Sequence, residues 1–401
     1  MNRLWFSASK SMKRVLPVIV VSQFLCTSLW FAGNSVVGDL AKTFELAPDF
    51  LAHLTSAVQF GFIAGTFLFA LFTIADRFSP SLIFFISAII ASLFNLAICL
   101  NGIHVTELLL FRFLTGFFLA GIYPVGMKIA SDYYQQGLGR SLGFLVGALV
   151  LGTAFPHLVK TITTQLPWRY VVYSTSVLSA VGGLGMWLLV PDGPNRKRSQ
   201  QINFSAFVTG FRKQDFRAAA FGYFGHMWEL YTFWAFVPVI LLTFKNQNLQ
   251  IELNIPLLSF LIIGVGSLAC VFSGYVSQYL GVKRTATISL LLSCLCCIFS
   301  PLLLAVSSLY LLLAFLFFWG LVVIADSPLF STLVAQSAPA ESRATSLTIV
   351  NCIGFSITII SIQFINLLVQ YIQPQFIYMV LAIGPMLGLI ALVRNNRTVQ
   401  L

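Results

Sequence analysis

Residues 116–140 read GFFLAGIYPVGMKIASDYYQQGLGR, and residues 320–343 read GLVVIADSPLFSTLVAQSAPAESR. Each stretch opens on a glycine inside a long apolar run, carries a proline eight residues later, and closes on an arginine in a polar loop. Gly116 and Pro124 recur as Gly320 and Pro328 at an offset of 204, and Arg140 recurs as Arg343 at 203. Upstream, Asp76 finds its counterpart in Gln278 at an offset of 202. One such coincidence would mean little. Four at nearly one offset, all in corresponding runs or loops, indicate two copies of one unit.

The composition says what the unit is made of. Of 401 residues, 58% are hydrophobic and only 9% are charged, with 39 phenylalanines. An ordinary soluble domain carries roughly 25% charged residues. The mean hydropathy of +0.91 is that of a chain living in lipid. A water-soluble enzyme, a disulfide scaffold and a disordered chain are all excluded. A helix crossing a bilayer needs roughly 20 apolar residues. Twelve such runs are found, at 16–38, 50–75, 82–101, 105–131, 139–160, 169–190, 218–243, 254–279, 285–305, 308–334, 345–370 and 374–393. The expected fold is therefore an all-α membrane protein of two pseudo-symmetric six-helix bundles, 1–190 and 218–401. The basic segment 191–217 joins them as a linker.

An even number of crossings puts both termini on one side. With the termini inside, seventeen of the 23 basic residues fall in inside segments and four outside. That asymmetry obeys the positive-inside rule and predicts cytoplasmic termini in an inner membrane. The net charge of +11 does not point to nucleic acid, because the basic residues sit in short loops between apolar runs. All seven cysteines lie in apolar runs, and the neighbours Cys294, Cys296 and Cys297 have no His or carboxylate near them in the sequence. They read as packing residues, and no metal or cofactor is expected. The first run ends in Trp30, Phe31 and Asn34, without a small-residue cleavage site, so no cleaved leader is expected.

With these runs and the repeat in hand, the chain resembles the major facilitator superfamily along its whole length. The family's loop element G-x-L-a-D-R-x-G-R-K survives in part. Asp76 and Arg77 are kept in the first half, where Phe72 and Ser79 replace the glycines. Gly274, Gly281, Lys283 and Arg284 fit in the second half, with Gln278 in place of the acid. Arg112-Phe-Leu-Thr-Gly116 is similar to the R-x-x-x-G element of the fourth helix, and Trp168-Arg169 to a pattern at the start of the sixth. The resemblance implies twelve helices, alternating access, and a conformational latch built from Asp76, Arg77, Arg140, Gly281, Lys283, Arg284 and Arg343. It also implies that Asp76 caps the start of the eleventh helix and that Arg112 takes part in proton coupling. Departures narrow the cargo. The Gly-Pro pair of drug–proton antiporters is missing from the fifth run, which reads Gly143-x-x-x-Gly147-Ala148. The paired intramembrane arginines of nitrate carriers are missing too.

Charges at membrane depth are costly and mark function or a specific partner. Arg112, Lys128, His226, Glu229 and Asp326 are such groups, and all fall in the fourth, seventh and tenth runs. His226 and Glu229 are three apart and share a helical face. Glu229, Asp326 and His226 are expected to carry protons. The alternatives are a structural hydrogen bond for Glu229, a packing role for His226, and an ion pair with Arg112 or Lys128 for Asp326. Arg112 is expected to grip a substrate carboxylate through its planar fork. Lys128 and Asp132 read as a local ion pair. Trp30, Phe31, Asn34, Gln59, Tyr123, Trp228, Tyr231, Trp234 and Asn351 are expected to line an aromatic, amide-bearing cavity. Packing or lipid-facing aromatics are the alternative.

The expected function is secondary transport of a small polar solute, a carboxylate or zwitterion, coupled to protons. The alternative is efflux of drugs or siderophore-like compounds. The four histidines are scattered at 53, 104, 157 and 226, so no catalytic cluster is expected. Small solutes, protons and the lipid bilayer are the expected partners of a monomer.

Overall fold

The computed structural model describes residues 2–46, 50–134, 138–196, 208, 210–339 and 343–397, with backbone alone for 2–13, 138–140 and 395–397. Among the described residues, eleven helices are long and apolar enough to cross a membrane. They are α2 (Phe50–Leu71), α3 (Pro80–Ala97), α4 (Val105–Tyr133), α5 (Ser141–Ile162), α6 (Arg169–Leu189), α7 (Gln214–Gln247), α8 (Ile255–Leu280), α9 (Val282–Leu304), α10 (Leu309–Ser337), α11 (Arg343–Leu368) and α12 (Pro374–Arg394). The twelfth run is α1 (Asn2–Thr27), whose apolar part is continued by two short helices, Ala32–Ser35 and Val37–Thr43. Among the described residues every regular element is helical. That is what lipid demands, because a helix satisfies its backbone hydrogen bonds internally.

The repeat read from sequence reappears in the packing. An added Cβ at Gly116 of α4 would lie 2.0 Å from Val58 O of α2. At Gly320 of α10 it would lie 2.2 Å from Ile262 O of α8. Val58 and Ile262 are themselves 204 residues apart. The duplicated glycine therefore exists for one crossing, made twice, where a backbone must touch a backbone. The duplicated proline has an equally local reason. α4 is interrupted at 120–122 and α10 at Asp326, just ahead of Pro124 and Pro328. Proline lacks an N–H and crowds the preceding turn. The helices restart through equivalent bonds, Gly126 N to Ile122 O and Phe330 N to Asp326 O, both 2.8 Å.

The loop elements differ between the halves. Gly281 ends α8 and begins α9 with φ of 85°, a turn that favours glycine. In the first half the reversal runs through Thr73, at φ 49°, and a short helix, Ile74–Arg77. The start of the linker is tied down. Arg196 donates to Asp76 O and Phe78 O at 3.1 and 2.7 Å, and Tyr133 donates to Pro191 O at 2.6 Å. Helix α7 begins at Gln214, inside the segment read as linker.

The halves meet along α5–α8 and α2–α11. Gly143 and Gly147 of α5 face the carbonyls of Cys270 and Ser267 on α8. Gln363 of α11 donates to Ser56 of α2 at 2.9 Å, and Thr161 donates to Asn254 at 3.5 Å.

Candidate functional site

Where the halves meet at membrane depth, aromatic rings from both fill the space. α1 leaves helical geometry at Ser28–Phe31, which displays Trp30 and Phe31 between helices. The Trp30 ring lies 4.8 Å from Phe62 of α2, 5.8 Å from Tyr231 of α7 and 5.7 Å from Phe355 of α11, centroid to centroid. Phe62 and Phe355 are 4.6 Å apart, and Tyr231 sits 5.2 Å from both Phe355 and Trp234. Phe31 meets Trp234 edge-on at 6.5 Å. All six side chains are buried. Such pairs are worth roughly 0.5–1.5 kcal/mol each beyond area burial.

This cluster gathers Trp30, Phe31, Tyr231 and Trp234 from the residues expected to line the cavity. Phe62 and Phe355 were missed, although Phe62 lies one turn from Gln59 and Phe355 one turn from Asn351. Polar groups accompany the rings. The indole nitrogens of Trp30 and Trp234 have no acceptor among the described residues, although both rings are 0% exposed. Both ends of the buried Gln59 amide are also unpaired. Asn34 donates to Thr55 at 2.7 Å, but its Oδ1 is unpaired. A buried unsatisfied donor costs about 1–3 kcal/mol, so a concentration of them requires an explanation. Asn351 accepts from Tyr223 OH at 2.5 Å. Tyr123 is buried at the α4 interruption. Trp228 stands apart, against Phe364.

The charged groups sit inside their own halves. Arg112 donates to Asn95 Oδ1 on α3 at 2.9 Å, and to Leu29 O and Trp30 O at 3.1 and 2.7 Å. Its fork therefore holds the irregular turn of α1, and only Nε lacks a partner. Asn95 in turn donates to Ser176 of α6 at 2.9 Å. In the second half, Glu229 Oε1 accepts from Ser293 Oγ of α9 at 2.5 Å and from Trp319 Nε1 of α10 at 2.6 Å. First, third and fourth helices are thus joined through a buried ionisable side chain in each half, a guanidinium in one and a carboxyl group in the other. His226 Nδ1 lies 2.8 Å from Asp326 Oδ1, with both side chains 1% exposed. Asp326 thus pairs with histidine, not with Arg112 or Lys128. His226 Nε2 is unpaired.

Of the residues expected to form the latch, Asp76 pairs with Lys128 of α4 at 2.9 Å. Lys128 also reaches Asp132 at 3.3 Å. Arg77 is exposed and donates to Thr73 at 3.1 Å. Arg284 and Arg343 are exposed, and Lys283 is half-buried. Arg140 lies outside the described side chains.

Two six-helix units, duplicated in packing and meeting at an aromatic centre, define a membrane protein of paired bundles. The family model described as Major Facilitator Superfamily matches residues 19–362 and 219–399. The chain belongs to that superfamily. It is similar to the "Probable L-galactonate transporter" of Escherichia coli (strain K12), with 23% identity over 225 residues, covering 51% of this chain and 48% of that one. It is also similar to the "Niacin transporter NiaP" of Acinetobacter baylyi, with 33% identity over 162 residues, 34% of this chain and 36% of that one. The matched segments thus span less than half of these relatives. Among solved structures, a bacterial homologue of the human lysosomal transporter Spinster, described as inward-facing and unoccupied, superposes with a TM-score of 0.62. The superposition covers 96% of this chain and 94% of that one, at 16% identity, and shows a shared fold.

Proposed function

We propose that this chain is a secondary active transporter that moves a small organic carboxylate or zwitterion through an inner membrane by alternating access, driven by protons. The observation that carries the reading is the placement of the buried charges. Each half holds one at the junction of its first, third and fourth helices, beside an aromatic interface between halves. Charges at membrane depth without a function are selected against, because each costs several kcal/mol to insert. Glu229 is hydrogen-bonded by three neutral side chains, Ser293, Trp319 and Cys297, and no cation pairs with it among the described residues. Gain or loss of a proton therefore changes the net charge of that junction, which gives a proton gradient something to act on. The unpaired donors at the centre suit an acceptor-bearing cargo. The two named relatives support the same class, since galactonate and niacin are both carboxylates. The strong excess of basic residues in segments on one side supports cytoplasmic termini.

The test is transport in proteoliposomes by the unmodified protein and Glu229→Gln. Glutamine keeps an oxygen for Ser293 and Trp319 but neither gains nor loses a proton at working pH. The variant is expected to retain exchange of labelled solute down its own gradient and to lose accumulation driven by an imposed pH gradient. Accumulation at the unmodified level in the variant would remove Glu229 from the coupling mechanism.

A further inference from the structure

We infer that the solute is a flat aromatic monocarboxylate, and that its ring takes the place of ring–ring contacts between the two halves. The inference rests on the carrier reading above and deepens it. Trp30 and Phe62 come from the first half, Tyr231 and Phe355 from the second, and their centroids lie 4.6–5.8 Å apart. Alternating access requires this interface to open. Rings that part from one another expose π-faces, and a planar aromatic solute restores stacking on both sides. A polyhydroxylated chain would set hydroxyl groups against those faces without replacing their hydrogen bonds, a desolvation loss.

The polar atoms limit the rest of the molecule. Trp30 and Trp234 carry unpaired N–H donors on rings that belong to the cluster. Gln59, one turn from Phe62 on α2, adds an unpaired amide. These are neutral donors. Arg112 is the charged donor nearest in the chain fold to Trp30, and Leu29 O, Trp30 O and Asn95 occupy its two terminal nitrogens. A site with several neutral donors and, among the described residues, one unpaired guanidinium N–H at Arg112 Nε suits one delocalised acceptor group. It does not suit a phosphate or a polyacid, whose charge would stay uncompensated.

The experiment compares nicotinate, benzoate, cyclohexanecarboxylate and L-galactonate on the purified, unmodified protein. Thermal stabilisation and tryptophan fluorescence report binding, and counterflow in proteoliposomes reports transport. Nicotinate or benzoate is expected to half-saturate at a concentration at least ten-fold lower than cyclohexanecarboxylate, with a change in tryptophan emission. Trp30→Leu is expected to weaken the aromatic acid at least ten-fold and the saturated acid by a clearly smaller factor, because both lose the indole donor and only the aromatic acid loses the stacking face. If galactonate or cyclohexanecarboxylate is carried as well as the aromatic acids, the aromatic class is overturned and the carboxylate carrier stands. If none of the four acids binds or moves, the carboxylate carrier fails and this inference fails with it.

Discussion

Arg112 shows what a single buried charge does here. An arginine inside an apolar run stands out in the sequence, and a substrate carboxylate is the obvious partner. In the structure two backbone carbonyls and an amide oxygen take its fork, so its first effect is on the shape of α1 at Trp30. The sequence shows that a charge is present at membrane depth, but its partners come from residues 17 and more than 80 positions away. Lysine has the charge without the planar fork and cannot hold all three acceptors in this geometry. Arg112→Lys is expected to cost about 2–3 kcal/mol, from the typical worth of charged hydrogen bonds. A lower thermal midpoint in detergent, together with altered tryptophan emission from Trp30, checks it. The same contrast holds for Asp326, whose ionisable character is plain in IADSPLFS but whose histidine partner lies 100 residues earlier.

At the scale of elements, the paired glycines and prolines explain why α4 and α10 look alike. The crossing of α2 with α4, and of α8 with α10, brings backbone within reach of backbone. Gly116→Ala and Gly320→Ala are each expected to destabilise by roughly 1–3 kcal/mol, the usual cost of overpacking. Gly274→Ala is the internal control, because an added Cβ there meets nothing within 4 Å. It is expected to leave stability unchanged or raise it by about 0.5–1 kcal/mol through helix propensity. Thermal midpoints of the three variants decide the matter. A fall for Gly274→Ala equal to the other two would mean that helix propensity and packing are misassigned. The offset of 204 marked Gly116 and Gly320 as equivalent positions, but neither the crossings nor the partners Val58 and Ile262 were singled out by any motif.

At the scale of the molecule, the two halves are clasped through Ser56–Gln363 and Thr161–Asn254. Both contacts lie at the membrane end where α2 begins and α11 finishes, away from the linker. If the halves rock, this clasp must open in each cycle. Cysteines at positions 56 and 363, joined by a short cleavable thiol cross-linker, are expected to stop counterflow, and cleavage of the linker is expected to restore it. Gel mobility confirms the cross-link. Undiminished transport in the linked protein would mean that the solute path does not need these ends to separate.

Hydrophobicity and periodicity are local properties, so the chain by itself determined the membrane setting, the helical class and the duplicated halves, with Pro124 and Pro328 as equivalent positions. It also marked the costly groups, because an ionisable residue in an apolar run is conspicuous wherever it points. Direction and partnership are not local. Whether Arg112 faces the other half or the turn of its own α1, whether Asp76 meets α11 or Lys128, and which of 39 phenylalanines stack at the centre depend on how α1, α2, α7 and α11 are rotated about their axes. Rotation is set by packing summed over all neighbours, in lipid that attracts every apolar face about equally. Only the tertiary structure could turn a list of aromatic residues into one cluster, with Phe62 and Phe355 in its middle and two unpaired indole donors within it.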